Sequence, residues 1–139
     1  MESGVHPAGT FNANPLCVAA ALAALKELEK PGTYERLERT GVMLKEGVNE
    51  LARKYHVKLW CDSQVSIWQL QFGIDAPMTS ILDNFKVDKK TYARFYRECL
   101  KRGIRLHSSR GRFYISTAHG EAEVKETLRV FDEVFHSMF

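Results

Sequence analysis

The chain has 139 residues, 45% hydrophobic and 27% charged, with 20 Lys and Arg against 17 Asp and Glu for a formal net charge of +3. This is the balance of an ordinary folded domain, long enough to bury a core without disulfides or metals, and its interspersed charges leave no basic footprint for nucleic acid. No apolar run approaches a membrane span and the first ten residues lack the pattern of a secretory leader, so the expected location is the cytoplasm.

The first helix is predicted from Asn14-Pro15, a good cap followed by a residue preorganised for the first helical position, to about Lys30, where Pro31-Gly32 stops it. Its opening turns, PLCVAAALAAL, are apolar all round, so this helix is built to be covered on more than one side. A second helix is predicted from Thr33 to about Lys54, with Tyr34, Leu37, Gly41, Leu44, Val48, Leu51 and Tyr55 on one stripe. Two strands follow, VKLW at 57–60 and VSIWQLQF at 65–72, the latter with Trp68, Leu70 and Phe72 on one face. Residues 73–87 read as a loop around Pro77, with NFKV as a short extended piece.

Asp88 is placed to cap a third helix over about 89–102, which buries Tyr92, Phe95, Tyr96, Cys99 and Leu100 and is closed by Gly103. IRL at 104–106 and RFYIS at 112–116 then read as strands joined by the polar turn HSSRG. In the second of them, Phe113 and Ile115 face one way and Arg112, Tyr114 and Ser116 the other. The last helix starts near Gly120, carries Glu121 and Glu123 at its positive end, and buries Val124, Leu128, Phe131, Val134, Phe135 and Met138. The order α-α-β-β-α-β-β-α predicts an α+β fold, a small antiparallel sheet with helices packed on one face.

Cys17, Cys61 and Cys99 are odd in number and widely spaced, and read as reduced thiols, Cys17 and Cys99 within apolar helix faces. The five histidines are far apart, without a Cys or carboxylate at ligand spacing, so no metal site is expected. Two places carry possible chemistry. Gly9-Thr10 offers a hydroxyl and backbone amides that suit a phosphate oxygen; spacing alone favours the plainer reading, Thr10 as a turn residue and Asn14 as a helix cap. Arg110 and Arg112, two apart around a glycine, point the same way in an extended segment and suit a carboxylate; the other reading is two exposed arginines on a hairpin.

The segment AGTFNANPLCVAAALAALKEL resembles the Gly-Thr-Phe-x-x-Asn-Pro stretch of the class III aminotransferases, pyridoxal-phosphate (PLP) enzymes of fold type I. PGTYERLE, QVSIWQLQF, DNFKVDKKTYARFYRECLKRGI and STAHGEAEVKETL continue the resemblance in family order across essentially all the chain, nearest to the glutamate-1-semialdehyde aminomutase branch. The resemblance implies that residues 1–32 are an N-terminal segment and long apolar connecting helix, and 33–139 a small C-terminal domain. It implies a homodimer acting on a small amino or carbonyl substrate, with Gly9 and Thr10 at the phosphate of the partner's PLP. The Schiff-base lysine of the family lies upstream of the Gly-Thr segment, so no catalytic residue is assigned here, Lys26 and Lys30 read as surface lysines, and the 139 residues alone are expected to be inactive. Arg110-Gly111-Arg112 stands where the aminomutases usually have an acidic residue, which implies an altered substrate preference. Two alternatives follow: a class III aminotransferase for a β- or ω-amino substrate, and a stand-alone, non-catalytic dimerisation module.

Overall fold

The computed structural model describes residues 9–107 and 111–139. The chain divides into two compact units, Met1–Tyr34 and Glu35–Phe139. In the first, α1 (Pro15–Leu28) begins where the sequence predicts: the Asn14 side chain accepts from the amides of Leu16 and Cys17 at 3.0 and 3.3 Å. No residue of α1 is buried, so Cys17 is an exposed thiol rather than the expected core one. Lys26 and Lys30 are exposed, Lys30 in an ion pair with Glu27.

The second unit is built on α2 (Thr33–Lys54, opening at the end of the first), β1 (Leu59–Gln64), β2 (Ile67–Phe72), a 3-10 helix (Ile81–Lys86), α3 (Lys89–Lys101), β3 (Arg112–Tyr114) and α4 (Glu121–Met138). The strands form one antiparallel sheet in the order β1-β2-β3, with Cys61 opposite Leu70 and Trp68 opposite Phe113. Alternation along the strands sends Leu59, Cys61, Trp68, Leu70, Phe72 and Phe113 to one face, all buried among α2, α3 and α4. Phe72, Phe95, Phe131 and Phe135, from β2, α3 and α4, are almost wholly buried, and the Phe95 ring lies 4.9, 5.3 and 5.4 Å from those of Phe131, Phe72 and Phe135. Burial pushes the Cys99 thiol up to about 12 and raises that of Cys61 further. The α+β architecture with helices on one face of a small sheet is therefore the observed one.

Several local expectations change. IRL is not a strand. The Ile104 amide donates 3.0 Å to the Cys99 carbonyl, finishing α3 instead of joining a ladder, and β3 pairs with β2 instead. The first strand starts at Leu59 because Val57 donates 2.9 Å to the Ala52 carbonyl and closes α2, with His56 at φ 54. NFKV is not extended. Its first three residues end the 3-10 helix, which Ser80 and Asp83 cap reciprocally. Tyr34 and Leu100, expected on buried stripes, are exposed.

A close approach fixes the β1–β2 hairpin. A Cβ on Gly41 of α2 would lie 2.5 Å from the Val65 carbonyl oxygen, and Val65 itself turns the hairpin at φ 51. Glycine at 41 lets the helix lie against the turn. Gly111 does the same for the third strand, where a Cβ would overlap the Leu70 backbone and the Leu70 amide donates 2.6 Å to the Gly111 carbonyl.

Candidate ligand-binding sites

The first site is the corner that leads into α1. The Gly9 carbonyl accepts from Asn12 N–H at 3.2 Å and the Phe11 carbonyl from Asn14 N–H at 3.1 Å, so one turn feeds the next and then the capped helix. A side chain at position 9 would collide with Asn12, its Cβ 2.6 Å from Asn12 Oδ1. The Asn12 side chain would have to turn aside to admit one. The Thr10 hydroxyl and the amides of Gly9 and Thr10 make no hydrogen bond to other described residues, and Thr10 is exposed. A hydroxyl and two unspent amides on one turn are chemically fit to hold an oxyanion such as a phosphate.

The second site is on the sheet face turned away from the helices. Period two places Trp60, Asp62, Gln64, Ile67, Gln69, Gln71, Arg112 and Tyr114 there, with Gln69 opposite Arg112 and Trp60 opposite Gln71. Arg112 is exposed, as the alternation of RFYIS predicts. It borders two depressions, of about 420 and 510 Å³, and forms no ion pair among the described residues. Arg110 lies outside the described residues. Gly9 and Thr10 thus share one turn in the first unit, and Arg112 belongs to the second. Sequence reading missed Gln69, Gln71, Asn84 and Lys89 as neighbours of Arg112. The same alternation that buries Trp68, Leu70 and Phe72 was the available signal for the two glutamines.

A third feature follows β3. Ser116 N–H donates 3.0 Å to His119 Nδ1, Ser116 Oγ lies 3.0 Å from the same nitrogen, and the Ala118 amide donates 3.3 Å to that hydroxyl. These contacts close the loop onto α4, where the Gly120 amide donates 2.8 Å to the Glu123 carboxylate and lowers its pKa. They are local supports and leave Nε2 of His119 as the proton-bearing nitrogen of the neutral ring. Among the described residues no three His, Cys, Asp or Glu side chains gather into a metal site, and no helix is long and apolar enough to cross a membrane.

No family model matches the chain. Its curated relatives include the glutamate-1-semialdehyde 2,1-aminomutase of Methanococcoides burtonii, 35% identical over 131 residues, covering 94% of this chain and 31% of the relative. Among solved structures, a glutamate-1-semialdehyde aminomutase from Pseudomonas aeruginosa matches all of this chain and 31% of its own, with TM-score 0.82 and 15% identity. A β-phenylalanine aminotransferase from Variovorax paradoxus matches 96% of this chain and 30% of its own, with TM-score 0.81 and 22% identity. At these identities the superpositions establish the fold, which is that of an aminotransferase C-terminal domain. The chain resembles the C-terminal part of the class III PLP-dependent aminotransferases. Within that class, its curated relatives carry the name glutamate-1-semialdehyde 2,1-aminomutase, and it spans about 31% of their length.

Proposed function

We propose that the chain is the C-terminal portion of a PLP-dependent enzyme of the glutamate-1-semialdehyde aminomutase type, moving an amino group on a small amino or carbonyl substrate. The observation that carries the reading is similarity along 94% of the chain to one contiguous class of enzyme. It favours this over a stand-alone dimerisation module. In the reading, residues 1–32 are the segment and connecting helix, 33–139 the small domain, and the complete protein is a cytoplasmic homodimer.

The turn at Gly9 and Thr10 holds the phosphate of PLP across the dimer, donating through the Thr10 hydroxyl and the backbone amides. PLP, when bound, supplies the electron sink and carries the amino group. Arg110 and Arg112 receive the carboxylate of the substrate and orient it. A second reading keeps the class and changes the substrate to a β- or ω-amino compound. The two cations at 110–112 motivate it, since the resemblance to the aminomutases implies an acidic residue in that stretch.

The 139-residue chain alone is expected to show no lysine-bound PLP absorbance after gel filtration and no turnover of an amino donor, whereas a polypeptide of the relatives' full length shows both. A stable band with turnover in the short chain would overturn the division of labour. In the full-length protein, Thr10→Val is expected to weaken PLP retention by about tenfold, the loss of one charge-assisted hydrogen bond.

A further inference from the structure

Charges of both signs alternate along most of the chain, and α3 departs from that pattern. With its C-cap Arg102 it holds Lys89, Lys90, Arg94, Arg97, Lys101 and Arg102 against Glu98 alone, while the other residues carry 14 cations and 16 acidic residues. The net positive charge of the chain thus resides on one helix. Tyr92, Phe95 and Cys99 turn one side of α3 into the core. On the opposite side Lys90, Arg94, Arg97 and Lys101 recur at spacings of four, three and four, and all four are exposed. Such spacing lines side chains along one face of a helix, here over about 16 Å.

Most of this charge is unspent. Glu98 is committed to Lys101 at 2.7 Å and to Arg102 at 2.9 Å. Arg94 and Arg97 form no ion pair or side-chain hydrogen bond among the described residues. They border a depression of about 380 Å³ that reaches Arg102, Ser137 and Met138. A guanidinium is weakly hydrated and engages both oxygens of a carboxylate at once, so two free ones beside a depression suit an acidic side chain.

Leu100 narrows the choice of partner. It stands three residues after Arg97 and is 46% exposed, although its helix stripe predicts burial. A partner that covers it brings apolar atoms together with negative charge, as an acidic protein segment does and a phosphate backbone does not. The rings of Tyr92, Phe95 and Tyr96 pack into or against the core, so this face has no platform on which a base could stack. One leucine is too little apolar surface to enter a lipid headgroup layer.

We propose that the outer face of α3 is a docking surface for an acidic protein segment, whose carboxylates seat on Lys90, Arg94, Arg97 and Lys101 and whose apolar side chains cover Leu100. The inference goes beyond amino transfer and depends on neither PLP nor substrate.

The test is a titration of the ¹⁵N-labelled chain with a synthetic peptide of Glu, Ala and Leu, about 16 residues long so that it can form a helix, with its glutamates at spacings of three and four. The backbone amides of α3 are expected to shift saturably, and binding to weaken as salt is raised from about 0.05 to 0.5 M. Arg94→Gln with Arg97→Gln is expected to weaken binding by about tenfold, and Leu100→Ser by several-fold. Arg36→Gln with Arg39→Gln, which removes the same charge from exposed positions of α2, is expected to leave it unchanged. The spectrum of each variant reports whether it is folded. Peptide shifts that spare α3 or survive either change to it would overturn the proposal. So would tighter binding, at the same face, of a single-stranded oligonucleotide or of vesicles containing phosphatidylserine. Absence of PLP binding in the full-length protein would instead strike the functional reading and leave this result standing.

Discussion

Asn49 sits half-buried on α2, and its carboxamide completes the backbone of a strand. Its Nδ2 donates 2.8 Å to the Cys61 carbonyl and its Oδ1 accepts from the Cys61 amide at 2.8 Å. Cys61 lies on β1, which is paired on one side only, so the side chain takes the place of a missing neighbouring strand and blunts the edge. Asn49→Ala is expected to cost about 1–3 kcal/mol, because two buried backbone groups lose their partners together. Urea denaturation monitored by tryptophan fluorescence checks it, and an unchanged midpoint would refute it. Nothing in the local pattern marks Asn49, which falls off the apolar stripe of its helix. Its role depends on a strand ten residues further along, which periodicity does not register. Leu37, Leu44 and Val48 on the same helix were legible, because burial of an apolar stripe needs only spacing.

Among the elements, α2 and α3 end in the same way but with different residues. In each, the last turn is closed by a six-residue and a four-residue amide-to-carbonyl bond: Val57 to Ala52 and His56 to Arg53 in α2, Ile104 to Cys99 and Gly103 to Leu100 in α3. The residue in the left-handed region is Gly103 (φ 87) in one and His56 (φ 54) in the other. Histidine pays the steric cost of that backbone and glycine does not. His56→Gly is therefore expected to stabilise the fold by up to about 1 kcal/mol, visible as a raised denaturation midpoint, while Gly103→Ala lowers it. Helix ends of this kind were readable where a cap residue declares itself, as at Asn14, Asp88 and Gly103. The strand expected at 104–106 was not refutable from its residues, since Ile104 and Leu106 alternate with Arg105 as a strand would. What replaces it is the closure of α3, which takes the Ile104 amide for the Cys99 carbonyl.

At the scale of the whole molecule, the acid side of the stability profile has a definite sign. The Asp132 carboxylate is held below its usual 3.8 chiefly by its hydrogen bond to Lys54 at 2.6 Å, with Tyr55 donating as well at 3.0 Å. Glu98 and Glu126 are held below 4.5, first by Lys101 and Arg129 respectively. A carboxylate with a depressed folded pKa contributes fully above its unfolded value and loses that contribution as pH falls through the folded one. The melting temperature is thus expected to hold near neutrality and to decline below about pH 4.5. Asp132→Asn should make that decline shallower, and an unchanged slope would remove Asp132 from the account. A second expectation concerns α1, where Leu16, Leu22 and Leu25 are 79%, 53% and 54% exposed. Apolar surface of this kind favours association, so sedimentation velocity should find the chain self-associating at high concentration and Leu22→Asp suppressing it. The fold was largely legible because alternation and helical stripes report burial directly. The surroundings of Arg112 were not, because Asn84, in the 3-10 helix, and Lys89, at the start of α3, border the same depression from outside the sheet, where strand alternation does not register them.

Gly41 and Val65 have a consequence for how the chain can vary. The helix touches the turn through backbone oxygen, which cannot rotate away as a side chain can. A larger residue at 41 therefore requires the hairpin to move first, and a moved hairpin carries with it Ser66, whose carbonyl receives the Ile115 amide at 2.9 Å. Positions 41, 65 and 115 are bound into a fixed order of change. A substitution at the glycine becomes acceptable only in a background where the turn has already been rebuilt.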